Sequence, residues 1–108
     1  MVSEKTATVE NKQLRDYELI VVYNPGITEE KLESLINNLS QFVTGKGGTI
    51  SETERWGMKK LAYPIKHSIE GNYILTRFRL EPRWSKELET NLYISEEVLR
   101  HLLVKLGS

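Results

Sequence analysis

Hydrophobic and polar positions divide the chain into six segments of changing period. From Tyr17 to Tyr23 the run YELIVVY is β-branched and aromatic and is apolar on both faces beyond Glu18, which predicts a central strand covered on at least one side. Asn24-Pro25-Gly26 stops it. Leu32, Leu35, Ile36, Leu39, Phe42 and Val43 then recur at spacings of three and four, giving one apolar stripe over about four turns of helix. Thr28 is placed to cap that helix, Glu29 and Glu30 meet the positive end of its dipole, and Ile27 with Leu32 forms a hydrophobic staple. Gly45, Gly47 and Gly48 end it.

An extended region follows from Thr49 to Ile65. Its alternation slips at Gly57, as at a bulge, and Pro64 belongs at an edge or a strand end because it has no N–H to give to a ladder. Glu70-Gly71 reads as the turn into a second strand, Asn72 to Leu80. There Ile74, Thr76, Phe78 and Leu80 fall on one face, and Tyr73, Leu75, Arg77 and Arg79 on the other. Beyond Pro82 a short helix is expected from Ser85 to Tyr93, with Trp84 at its entrance and Leu88 and Leu92 one turn apart. The closing run VLRHLLVKL, Val98 to Leu106, alternates as a strand but is also compatible with a helix.

The order strand, helix, strand, strand, helix, strand suits an α+β class, the ferredoxin-like split βαβ sandwich: a four-stranded antiparallel sheet with two helices on one face. The opposite face is left for water, a ligand or a partner. Residues 1–14 are polar and aperiodic and are expected to form a flexible N-terminal extension, with a single domain over 15–108.

Composition then removes whole classes of chemistry. The chain has no cysteine, so disulfides, thiolate metal sites and cysteine nucleophiles are out, and a reducing compartment is permitted. No apolar run approaches the roughly 18 to 20 residues that span a bilayer, and the polar start lacks the hydrophobic segment of a signal peptide, so a cytoplasmic location is expected. Catalysis finds no support. There is one aspartate, Asp16, and two histidines, His67 and His101, with neither metal-ligand spacing nor a pattern that would orient a base. The cluster Gly45-Lys46-Gly47-Gly48 closes a helix, whereas phosphate cradles open one. No metal and no cofactor is expected.

Charge is more informative by position than in total. Fifteen Lys and Arg balance fifteen Asp and Glu, which argues against a wholly basic surface. Between Arg55 and Arg83, however, seven cations meet only Glu70 and Glu81, a balance of +5, and the remainder, eight against thirteen, carries −5. Trp56, Tyr63, Tyr73, Phe78 and Trp84 interleave with those cations. Basic and aromatic residues on an open sheet face suit RNA or a protein partner.

The stretch Trp56-Gly57-Met58-Lys59-Lys60-Leu61-Ala62-Tyr63-Pro64-Ile65 resembles the signature of a known family, the bacterial small-subunit ribosomal protein that is sixth in the conventional numbering. Tyr17-Glu18, Asn24-Pro25, Gly48, Gly71 with Tyr73, and Val98-Leu99-Arg100 through Val104-Lys105 match it in the same order. The similarity runs from about Arg15 to Leu106. It implies the same ferredoxin-like fold and a structural role in the small subunit. It also implies binding to the central domain of small-subunit ribosomal RNA as a heterodimer with the small-subunit protein numbered eighteen. By that resemblance Arg15, Tyr17, Lys59, Lys60 and Arg100 are RNA-contact candidates, joined by Arg77 and Arg79 of the open face. Trp56, Tyr73 and Leu75 are the expected partner-protein contacts. Ser95-Glu96-Glu97 stands where some relatives carry basic residues. The alternative is a small-molecule regulatory or dimerisation module of the same fold, for which no convergent polar cluster announces a pocket.

Overall fold

The computed structural model describes residues 13–106. The elements are β1 (Arg15–Tyr23), α1 (Glu29–Gly45), β2 (Thr49–Ile65), β3 (Ser68–Leu80), a single 3-10 turn (Pro82–Trp84), α2 (Ser85–Ile94) and β4 (Val98–Lys105). The sheet order is β2-β3-β1-β4, with every neighbouring pair antiparallel. This is the expected ferredoxin-like arrangement, and the closing segment is a strand. Of the extension expected over 1–14, all but Gln13 and Leu14 lies outside the described residues.

Each helix forms for reasons visible in its sequence. In α1 the Thr28 hydroxyl accepts a hydrogen bond from the Lys31 N–H at 3.2 Å, with Glu29 and Glu30 in the first turn. At the other end the Gly47 and Gly48 N–H groups return to the carbonyls of Thr44 and Val43, which closes the helix rather than cradling an anion. The stripes of both helices pack on one face of the sheet. Leu32, Leu39 and Val43 of α1 and Leu88 and Leu92 of α2 meet Tyr17, Leu19, Val21 and Tyr23 of β1 and Ile74, Phe78 and Leu80 of β3. Each aliphatic side chain buried there is worth about 1.5 to 3 kcal/mol.

The β2–β3 hairpin departs from expectation at its turn. Residues Lys66 and His67 make the turn, with φ of 50° and 68°, between the paired Ile65 and Ser68. Two consecutive positive φ values give the twist that a two-residue hairpin requires. Glu70 and Gly71 lie inside β3, opposite Lys60 and Lys59. Gly71 serves a close approach, because a Cβ there would stand 2.2 Å from the Val22 Cγ1 methyl. Gly57 is the expected bulge: its φ is +86° and the register shifts between Arg55 and Gly57.

Candidate nucleic-acid interface

Because side chains alternate along a strand, the face away from the helices is set by register. Ile20 stands between Leu75 and Leu102, Val22 between Tyr73 and Arg100, and Glu18 between Arg77 and Val104. Glu52 and Glu54 of β2 lie opposite Arg77 and Leu75. Three zones result, one ionic, one apolar and one basic.

The ionic zone is centred on Arg77. Its Nε donates to Glu18 Oε2 at 2.8 Å and its Nη1 to Glu52 Oε1 at 2.5 Å, with Glu54 Oε2 at 3.8 Å. These bonds, that to Glu18 first, raise the guanidinium pKa further above its ordinary value. Glu54 is held below the usual carboxylate range by its hydrogen bond with Glu52 and by the Trp56 indole N–H, 3.0 Å away. Arg79 Nε lies 3.2 Å from Asp16 Oδ1. Arg77 and Arg79, two of the four arginines proposed from sequence for RNA contact, are thus already matched to carboxylates.

The apolar zone adjoins it. Ile20, Val22, Tyr73 and Leu102, with Arg100 and His101 at the rim, line a shallow depression of about 160 Å³. Leu75 and Val22 are only 2% and 4% exposed although no helix covers this face, whereas Leu102 and Val104 are 51% and 40% exposed. The expectation that Leu75 is an exposed contact is therefore corrected: its in-sheet neighbours already exclude water from it. Tyr73 is half-buried and Trp56 is 41% exposed.

The basic zone lies on the hairpin and the start of β4. Lys59 and Lys60 are exposed on β2, and the Lys59 ammonium sits 5.1 Å from the centre of the Trp56 ring. Lys66 Nζ donates to the Val98 carbonyl at 3.1 Å, and Arg100 Nη1 reaches the Tyr63 hydroxyl at 3.5 Å. None of Lys59, Lys60, Lys66 and Arg100 forms an ion pair with a described carboxylate. Their charge is available, while that of Arg55, Arg77, Arg79 and Arg83 is taken by Glu29, Glu18, Asp16 and Glu81.

The sequence candidates do not form one cluster. Lys59, Lys60 and Arg100 gather at the Tyr23 end of β1. Arg15 and Arg79 stand at its other end, about 26 Å away at the usual strand rise. Tyr17 is withdrawn from either group: it is 4% exposed, on the helix face, with its ring stacked on Phe78 at 5.6 Å. Its role in this fold is packing, which corrects the expectation that it is an RNA contact. Lys66, Leu102 and Val104 were not singled out from sequence. The alternation of VLRHLLVK contained the signal for the last two once that segment was taken as a strand beside β1.

Among the described residues no group of three or more His, Cys, Asp or Glu is placed to hold a metal ion, and no helix is long and apolar enough to cross a membrane. His67 stands at the hairpin turn, while His101 Nε2 faces Glu89 of α2 at 3.4 Å.

Comparison with known proteins adds four findings. The family model described as "Ribosomal protein S6" matches residues 16–105. The small ribosomal subunit protein bS6 of Fusobacterium nucleatum is 41% identical over 92 residues, covering 85% of this chain and 98% of that protein. Its counterpart from Clostridioides difficile is 41% identical over 91 residues, covering 84% and 98%. The crystal structure of 30S ribosomal protein S6 from Thermotoga maritima superposes with a TM-score of 0.80 at 31% identity, over 86% of this chain and 88% of that one.

Proposed function

The chain belongs to the ribosomal protein S6 family, structural and non-enzymatic constituents of the bacterial small ribosomal subunit, and from that premise we propose that it binds the central domain of small-subunit ribosomal RNA together with the small-subunit protein numbered eighteen. Its place is accordingly the ribosome, in the cytoplasm.

One observation carries the proposal: Lys59, Lys60, Lys66 and Arg100, none paired with a described carboxylate, lie together on the hairpin and the start of β4, beside an apolar strip that no helix covers. Lys59, Lys60 and Arg100 supply phosphate contacts there, with Arg15 a separate contact at the far end of β1. Trp56, Tyr73, Leu102 and Val104 offer apolar surface to the partner protein. Phosphate contacts of this kind position a protein without reading bases, so specificity falls to RNA shape and to the partner. Three or four such contacts give a fall of log affinity with log salt of slope about −2 to −4.

The rest of the chain is acidic, so its field opposes RNA, and the isolated protein binds weakly while the pair binds tightly. A filter-binding titration of the central-domain RNA checks this, with and without the partner. Equal affinity in the two titrations would remove the cooperative reading. Substituting Lys59→Glu and Lys60→Glu together weakens binding by roughly tenfold or more while thermal melting stays unchanged, since both side chains are exposed. Unchanged binding removes both residues from the interface.

A further inference from the structure

Where the end of α2, the start of β4 and the hairpin turn meet lies a notch of about 270 Å³, lined in part by Lys66, Leu92, Tyr93, Val98, Arg100 and His101. Its volume falls just below the range of about 300 to 1,000 Å³ that takes drug-sized ligands, so it has room for a single nucleotide and no more. Three features of its lining bear on what it holds.

Tyr93 is 80% exposed, the most exposed of the large apolar side chains among the described residues, and takes no part in the core. Its ring is shared between this notch and a neighbouring depression lined by Lys86, Glu89 and Thr90, so it forms a bare ridge. Lys66 and Arg100 are held by uncharged oxygens, the Val98 carbonyl at 3.1 Å and the Tyr63 hydroxyl at 3.5 Å, so both are positioned with their charge intact. No carboxylate lines the notch. Of the acids of the adjoining segments, Glu97 accepts from the Ser95 hydroxyl at 2.9 Å and faces Lys31, Glu89 faces His101 at the edge of the notch, and Glu96 is exposed on the turn before β4.

We infer that this notch seats one unstacked nucleotide of single-stranded RNA, its base laid on Tyr93 and its phosphate between Lys66 and Arg100. An aromatic ring beside two uncompensated cations is the recurrent platform for a splayed-out base. An acidic peptide would engage the two cations but leave the bare ring without a use, and duplex RNA keeps its bases inside the stack. The inference rests on RNA being the ligand of this chain, and it adds a subsite to which Lys59 and Lys60 do not contribute.

The test uses the full chain and a labelled oligouridylate of about eight nucleotides, within the usual span of single-strand sites. Tyr93→Ala weakens binding about 5- to 100-fold, the range for one base stacked on one ring, whereas Tyr93→Phe keeps the affinity. Arg100→Gln makes the salt slope shallower by about 0.7, one phosphate contact on a single strand. Thermal melting of the Tyr93 variants matches the parent, because the side chain is outside the core. Equal oligouridylate affinity in Tyr93→Ala and the parent would overturn the inference, as would displacement of the probe by an RNA duplex or an oligoglutamate peptide as readily as by unlabelled oligouridylate. If Tyr93 proves indifferent while the Lys59→Glu, Lys60→Glu chain still loses ribosomal RNA, the notch fails and the larger proposal stands. If Tyr93 governs oligouridylate binding while the double substitution leaves ribosomal RNA binding intact, the hairpin assignment fails and the notch stands.

Discussion

On the helix side of the sheet Leu19, Phe78 and Leu80 are buried beneath α1 and α2, whereas on the other side Val22 and Leu75 reach nearly the same burial with no element above them. The first face is dried from above by aliphatic side chains. The second is dried laterally, by neighbours on adjacent strands and by the Arg77 cluster that ties β1, β2 and β3 together beside it. Lateral coverage ends toward β4, where Leu102 and Val104 stand half in water. A sheet face closed at its centre and open along one edge strand can be stable alone and still hold apolar surface for a partner.

Truncations on the two faces give the largest effects and the most direct comparison. Phe78→Ala on the helix side is expected to cost about 3 to 5 kcal/mol, and Leu75→Ala on the open side about 2 to 3 kcal/mol, both read from denaturant midpoints. A solvated strand face would give a Leu75→Ala change within about 0.5 kcal/mol. A loss that small would break the comparison, because the open face would then be wet.

Extremes of pH separate the faces next. Burial pushes the Tyr23 phenol, on the helix side, up to about 12 from 10.0. Its raised folded-state pKa gives a contribution fully present below pH 10, lost between pH 10 and about 12 and absent above, worth about 2 to 3 kcal/mol for two units. Glu54, on the open side, has a lowered pKa, so its contribution is present above the ordinary value of 4.5 and disappears on acidification. Stability measured across pH should therefore fall in base with Tyr23 intact and keep its level there in Tyr23→Phe. The Glu54→Gln chain should lose part of the acid-limb slope and leave the basic limb unchanged.

The fold was legible in the chain because its two periods are clean: three-and-four spacing from Leu32 to Val43, and alternation from Asn72 to Leu80. The hairpin turn was not. Lys66-His67 carries none of the Asn-Gly or Asp-Gly chemistry that announces positive φ, and the glycine five residues on, Gly71, is required by the Val22 methyl instead. Charge along the chain located the basic segment but could not say which cations were spoken for. Arg77 meets Glu18 across 59 residues and Glu52 across 25, a pairing that exists only once the strand register is known. The same ignorance of register hid the burial of Leu75, since alternation assigns a face but not what the neighbouring strands place beside it.

Arg77 gives the smallest and sharpest discrimination. Replacing it as Arg77→Gln leaves Glu18, Glu52 and Glu54 facing one another on the open side without their shared cation. Because the cluster is partly solvated, the loss of stability should be smaller than that of Leu75→Ala and should shrink as salt rises, which denaturant midpoints at low and high ionic strength would show. Its effect on RNA tests the division between spent and available charge. A guanidinium already neutralised by carboxylates releases no further counterion on binding, so the salt slope for ribosomal RNA should match the parent, while Lys60→Gln makes it shallower by about 0.7 to 0.9. A matching change for Arg77→Gln would mean that the carboxylates yield Arg77 to phosphate in the complex. The ionic zone would then be part of the RNA surface rather than its dry border.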